Sequence, residues 1–90
     1  NSKEAATEKH IPVIEITNNI AKITVGEVLH PMEEEHYIEW IYLETNKGLK
    51  RVNLHPGEEP IAMFALLEGE NVLSAYAYCN LHGLWIKEEK

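Results

Sequence analysis

The sequence contains a single cysteine, Cys79, among its 90 residues, so no disulfide can form within the chain. This excludes the disulfide-stapled secreted domains and favours a reducing compartment, for which we predict the cytoplasm. Apolar runs are also short. None approaches the roughly 18 residues of a membrane-spanning helix, so no membrane association is expected. Eight lysines and arginines against 15 acidic residues leave a net charge of −7, which argues against nucleic acid as a partner because phosphates would stay unneutralised.

What the chain does contain is a series of short β-branched and apolar segments separated by turn residues. The predicted strands cover residues 13–17, 20–28, 36–45, 49–54, 61–68, 72–79 and 84–87. About seven short strands, with turns every 8–12 residues, predict an all-β fold built as an antiparallel β-sandwich. Residues 1–7 are predicted to be a linker or flexible terminus, and residues 8–90 to form one domain.

The strongest predicted strand, residues 36–45, alternates along its length. We predict one face with His36, Ile38, Trp40 and Tyr42, and an opposite face with Tyr37, Glu39, Ile41 and Leu43. The aromatic side chains of Tyr37, Trp40 and Trp85 are expected to pack in the core.

Cysteine and histidine stand three residues apart at Cys79 and His82, within one turn. A thiolate and an imidazole at this spacing suit iron, zinc or copper. Further ligands could come from His10, His30 and His36, which lie near predicted strand ends that can meet at one rim of a sandwich. His55 lies in an ordinary His-Pro-Gly-Glu turn and is assigned no role. Each histidine alone could be solvent-exposed and Cys79 a small buried hydrophobe, so spacing supports a metal site without identifying the metal.

Four motifs together resemble the superoxide reductases, the family that includes neelaredoxin and the catalytic domain of desulfoferrodoxin. They are EKHIPVIE at 8–15, VGE at 25–27 leading to HPM at 30–32, EHYIEWI at 35–41, and YCNLHGLW at 78–85. The likeness follows the family's order over nearly the whole chain.

The resemblance implies an immunoglobulin-like β-sandwich that carries one mononuclear non-haem iron. Its implied ligands are four equatorial imidazoles and one axial thiolate, namely His10, His30, His36, His82 and Cys79. The implied reaction is the one-electron reduction of superoxide to hydrogen peroxide, with rubredoxin or a similar protein as electron donor. Relatives form dimers or tetramers, so a homo-oligomer is expected.

The same resemblance implies roles for two residues that precede His10. Lys9 would supply positive charge beside the open coordination position and order a water that delivers a proton. Glu8 would become the sixth iron ligand after turnover. Some relatives carry a four-cysteine iron module before this domain. One cysteine cannot supply it, and residues 1–7 look like the linker that follows such a module.

Two other functions use the same Cys/His cluster. One is a zinc-binding β-sandwich module, in which the metal is structural and no coordination position is open. The other is an electron carrier whose iron does not react with a small molecule. Metal content and anion binding to the metal distinguish these alternatives from an enzyme.

Overall fold

The alternation of apolar and polar residues produces seven strands in the computed structural model, which describes residues 9–89. The strands are β1 (Pro12–Thr17), β2 (Ile20–Val25), β3 (Ile38–Thr45), β4 (Gly48–Asn53), β5 (Ile61–Ala65), β6 (Val72–Cys79) and β7 (Gly83–Glu88). Within the described residues, helical backbone occurs only at Lys9 and His10. No helix in this part of the chain is long and apolar enough to span a membrane. The predicted linker at residues 1–7 lies outside the described residues.

The strands form two antiparallel sheets, with the order β1-β2-β5 in one and β4-β3-β6-β7 in the other. All pairings within them are antiparallel. β4 thus belongs to the same sheet as β3, β6 and β7, an arrangement found among immunoglobulin-like sandwiches. The predicted all-β fold of about seven strands is confirmed.

The core lies between the inner faces of the two sheets. Its fully buried members include Ile23 and Val25 from β2, Ile41 and Leu43 from β3, and Cys79 at the end of β6. Apolar side chains at every second position of a strand point to one face, so these residues exclude water from the space between the sheets. The only cysteine of the chain is therefore part of the core.

A β-bulge at the start of β3 overturns one predicted face assignment. Ile38 pairs with Cys79 and Trp40 with Tyr78, so two steps along β3 match one step along β6. The extra residue shifts the alternation of faces by one position. Ile38 and Ile41 are therefore both buried, although they are three residues apart and a regular strand would place them on opposite faces. Grouping Ile38 with Trp40 on one face was wrong.

Trp40 does not pack in the core either. It lies on the outer face of the larger sheet, stacked 5.5 Å from Tyr78, with the exposed Arg51 guanidinium 5.3 Å above its ring. Trp85 is buried, at 2% exposure, as predicted. The predicted strand 36–45 begins only at Ile38, and the residues between β2 and β3 form a long loop, here called the 26–37 loop.

A buried carboxylate ties together chain segments at the end of the sandwich away from Cys79. Glu70, whose side chain is 1% exposed, accepts hydrogen bonds from the Leu67 amide at 2.9 Å and the Thr45 hydroxyl at 2.6 Å. The Lys50 ammonium lies 3.1 Å from the same carboxylate. The Leu67 amide, the Thr45 hydroxyl and, to a smaller degree, Lys50 lower the pKa of Glu70 from 4.5 to about 2, against the opposing effect of burial.

We expect Glu70→Gln to lower the melting temperature by several degrees at pH 7, because the ionised carboxylate is the form that these donors stabilise. Since the folded-state pKa is depressed, this contribution is complete above pH 4.5 and is lost as the pH falls toward 2. Thermal unfolding by circular dichroism between pH 7 and pH 2 should therefore show the difference from wild type shrinking with acid. The exposed neighbour Glu68, changed to Gln, is the control for loss of one negative charge. Equal effects of the two variants would contradict the assignment.

Candidate metal centre

One end of the sandwich collects chain segments that carry imidazole and thiol groups. His10 lies two residues before the start of β1, and His30 and His36 lie in the 26–37 loop. Cys79 is the last residue of β6, and His82 follows in the turn before β7. Because the pairings are antiparallel, the start of one strand lies beside the end of the next, and these five residues meet.

The loop that carries two of the histidines is folded by backbone hydrogen bonds. The His30 amide donates to the Val25 carbonyl at 3.2 Å, and the amides and carbonyls of Glu33 and His36 are paired reciprocally at 3.0 Å. The Met32 carbonyl accepts from the Gly57 amide at 2.8 Å. The acidic residues 33–35 thus form an exposed turn that returns His36 toward His30.

Four potential donor atoms lie close together. Those of His10, His30, His36 and Cys79 are all within 4.8 Å of one another. His10 and His30 are each 2% exposed and Cys79 is fully buried, whereas His36 is half-buried. His82 is exposed, and its Nδ1 lies 3.8 Å from the Cys79 Sγ.

The centroids of the four imidazole rings lie near the corners of a square. Neighbouring centroids, in the order His10, His30, His36, His82, lie 4.5 to 5.1 Å apart with interplanar angles of 72° to 83°. The His10–His36 diagonal is 6.3 Å. Half of this diagonal is the distance from a ring centroid to the centre of the square. A ring nitrogen that points to the centre lies about 1 Å closer, which leaves about 2 Å between the donor atom and the centre. This is a metal–nitrogen bond length.

Contacts between donor atoms agree with this geometry. The Nε2 atoms of His10 and His30 lie 3.0 Å apart. Two ligands at right angles around a metal, each bonded at about 2.1 Å, are separated by about 3 Å. The His30 ring places Nδ1 2.7 Å from the Pro31 carbonyl, so Nδ1 carries the proton that it donates there and Nε2 keeps its lone pair.

The His36 ring gives a second observation that fits a metal site. Its Nε2 atom is buried and has no hydrogen-bond partner among the described residues. A buried polar atom without a partner costs free energy, so such an atom usually has an ion or water in the functional protein. This ring and the His10–His30 contact together fit a metal at the centre of the square.

Burial and mutual repulsion keep two of these imidazoles neutral. Desolvation, partly offset by the Pro31 hydrogen bond and reinforced by the other imidazoles, lowers the pKa of His30 from 6.5 to about 4. Desolvation also lowers the pKa of His36, with smaller contributions from His82 and Lys9. Neutral imidazole is the metal-binding form, so both residues are prepared to bind near neutral pH.

Lys9 is exposed beside this cluster, and its positive charge is among the causes of the low pKa of His36. Glu8, the other residue assigned a role from the sequence, lies outside the described residues. His55 is exposed in the turn that follows β4, where its amide donates to the Glu58 carboxylate at 2.7 Å. It is not part of the cluster, in agreement with the sequence interpretation.

Two residues near the cluster were not singled out as functional from the sequence. The indole of Trp85 stacks on His10, with centroids 4.6 Å apart and planes at 21°, and so fixes the orientation of that ring. Gly26 has φ +90°, and a Cβ there would lie 2.6 Å from the Lys9 carbonyl oxygen. A glycine directly after a strand is the signal that could have identified this close backbone approach.

Comparison with known proteins agrees with this arrangement. A family model described as Desulfoferrodoxin matches residues 2–88. The desulfoferrodoxin of Syntrophotalea carbinolica is 51% identical over 88 residues, which cover 98% of this chain and 68% of that protein. The superoxide reductase of Treponema pallidum has a similar structure, with a TM-score of 0.92 at 45% identity over 98% of this chain and 72% of that one. The superoxide reductase (1Fe-SOR) of Giardia intestinalis has a TM-score of 0.78 at 34% identity, over 92% of this chain and 98% of that one.

We expect His36→Ala to weaken Co²⁺ binding to the metal-free protein at least tenfold, because it removes one of the converging donors. The measurement is a titration followed by the visible absorption of thiolate-ligated cobalt. His55→Ala removes an imidazole that lies outside the cluster and should bind cobalt like the wild type. Circular dichroism of both variants checks that the sandwich is retained. Indistinguishable affinities for the two variants would rule out His36 as a ligand.

Proposed function

Because the chain belongs to the desulfoferrodoxin family, we propose that it is a superoxide reductase with one mononuclear non-haem iron. The proposed ligands are the imidazoles of His10, His30, His36 and His82 and the thiolate of Cys79. The observation that carries the proposal is the square of four imidazole rings, with the buried Cys79 sulfur clustered with the donor atoms of three of them, those of His10, His30 and His36.

In the proposed reaction superoxide takes up one electron and two protons and becomes hydrogen peroxide. The proposed ligands would hold a ferrous iron that supplies the electron, and a small electron-transfer protein such as rubredoxin would restore the ferrous state. No dioxygen is produced, which separates this reaction from dismutation.

The protein contributes first by what it leaves accessible. The Cys79 side chain is fully buried in the core, and His10 and His30 are nearly so, whereas His36, His82 and Lys9 reach the surface. We infer that superoxide would approach from this exposed side and that the Cys79 thiolate would hold the iron from the core side. A thiolate ligand would donate electron density to the bound iron, as it does in haem enzymes.

Lys9 is the proposed source of local attraction for the anionic substrate. The chain has a net charge of −7, so its overall field repels superoxide. Lys9 is close enough to the cluster to disfavour protonation of His36. We propose that it attracts superoxide and orders a water that delivers a proton to the product.

Other parts of the proposal rest on sequence position and family membership. Glu8, next to Lys9, is proposed as the ligand that occupies the open position after turnover. Residues 8–90 are proposed as the catalytic domain and residues 1–7 as a linker. A cytoplasmic location and assembly into a dimer or tetramer complete the proposal.

The central test is the stoichiometry of superoxide consumption by the iron-loaded protein. With a stoichiometric ferrous centre, we expect one hydrogen peroxide for each superoxide consumed, together with oxidation of the iron seen by visible absorption. Dismutation would yield half as much peroxide. The zinc-loaded protein, measured in parallel, should be inactive. Isolation of a zinc protein that cannot be loaded with iron would favour the structural zinc module. An iron protein that does not consume superoxide would favour the electron carrier.

We expect Lys9→Ala to slow the second-order reaction with superoxide about tenfold at low ionic strength, and less at high salt, because electrostatic attraction is screened. Pulse radiolysis measures the rate directly. Lys47→Ala is the matched control, since it makes the same change in net charge at an exposed turn between β3 and β4. Equal rates for the two variants would show that only the total charge matters.

A further inference from the structure

Asn80 makes three hydrogen bonds to the chain on both sides of His36. Its side-chain oxygen accepts from the Tyr37 amide at 2.9 Å, and its side-chain amide donates to the Glu35 carbonyl at 3.1 Å. Its own backbone amide donates to the Tyr37 carbonyl at 3.2 Å. A single side chain thus holds the residues before and after one proposed ligand.

The position of Asn80 in the chain shows which segments these bonds connect. It lies directly after Cys79 and two residues before His82, in the turn that joins β6 to β7. The two partners of its side chain are 43 and 45 residues away in sequence. The bonds therefore connect the segment that carries Cys79 and His82 with the segment that carries His36.

We propose that Asn80 is a positioning residue for the metal centre, which sets the location of His36 relative to Cys79. The proposal rests on the metal centre described above, but not on the reaction that the metal carries out. Hydrogen bonds around a ligand restrict its orientation, and their loss weakens metal binding because the donors must be ordered when the metal binds.

His36 has particular need of such support. Ile38, two residues after it, begins β3, and the turn at residues 33–36 is held by the paired amides of Glu33 and His36. Among the described bonds of the 35–37 backbone, those made by Asn80 are the ones that lead to the Cys79 segment. Without them the 33–36 turn could keep its internal bonds and still shift relative to the thiol.

The chain contains the same arrangement a second time, at the opposite end of β3. The side-chain amide of Asn46 donates to the Gly69 carbonyl at 3.0 Å, and its oxygen accepts from the Asn71 amide at 2.7 Å. The backbone amide of Asn46 donates to the Asn71 carbonyl at 3.1 Å. Asn46 follows Thr45, whereas Asn80 lies beside Cys79, which pairs with Ile38 at the other end of the strand. The two asparagines form equivalent bonds, and only one of them is near the cluster.

This repetition supplies a matched control. Asn80→Ala and Asn46→Ala each remove two side-chain hydrogen bonds that join distant segments, so we expect similar falls in melting temperature. Only Asn80→Ala should weaken Co²⁺ binding to the metal-free protein, by 10- to 100-fold, the range seen when groups that orient metal ligands are removed. Asn46→Ala should change the affinity less than about twofold.

Two further measurements separate positioning from general destabilisation. The visible absorption of thiolate-bound cobalt should shift in Asn80→Ala and not in Asn46→Ala, because it reports the geometry at Cys79. Exchange of the Tyr37 amide hydrogen, followed by nuclear magnetic resonance, should speed up in Asn80→Ala while that of Asn71 does not. If Asn80→Ala does not fold, Asn80→Ser is the smaller change, with the same expected direction.

The proposal is overturned if the two alanine variants bind cobalt equally, or if Asn80→Ala loses stability while keeping the affinity and spectrum of the wild type. None of these measurements involves superoxide. A protein that fails the stoichiometry test can therefore still support the role of Asn80, and the reverse also holds.

Discussion

The antiparallel pairing of β3 with β6 is the constraint on which the candidate centre depends. It places Ile38 opposite Cys79, so the end of the 26–37 loop, which carries His36, must lie against the turn that contains Asn80 and His82. The other sheet brings His10 and His30 to the same end, because Pro12 at the start of β1 pairs with Val25 at the end of β2. The five proposed ligands thus come from strand ends that the hydrogen-bond ladders already hold in register.

One side of the cluster is buried in the core, and the other side is exposed to solvent. The thiol of Cys79 is surrounded by core residues, and burial keeps the pKa of His30 well below its usual range. Lys9 and His82 lie on the exposed side. A buried soft donor and an exposed cation near the same cluster form an asymmetric environment.

Much of this could be predicted from the sequence, and the rest has physical reasons for being hidden. Cys79 and His82 are close along the chain, and their spacing already indicates a metal site. His10, His30 and His36 converge only through the strand ladders, so spacing alone could support them but not place them. The face of Ile38 was predicted wrongly because a bulge leaves no periodic signal. The role of Asn80 depends on partners more than 40 residues away.

The bulge in β3 means that the centre depends on the number of residues in the strand as well as on their identity. The extra residue near Glu39 reverses the alternation between Ile38 and Ile41, and His36 shares its parity with Ile38. A substitution at Glu39 leaves that count intact. A deletion there would restore a regular ladder in which Ile38 and Ile41, then two residues apart, still share the buried face. A second inserted residue at the same place would instead turn Ile38 and His36 to the opposite face, so the metal centre is more sensitive to the gain of a residue here than to the loss of the bulged one.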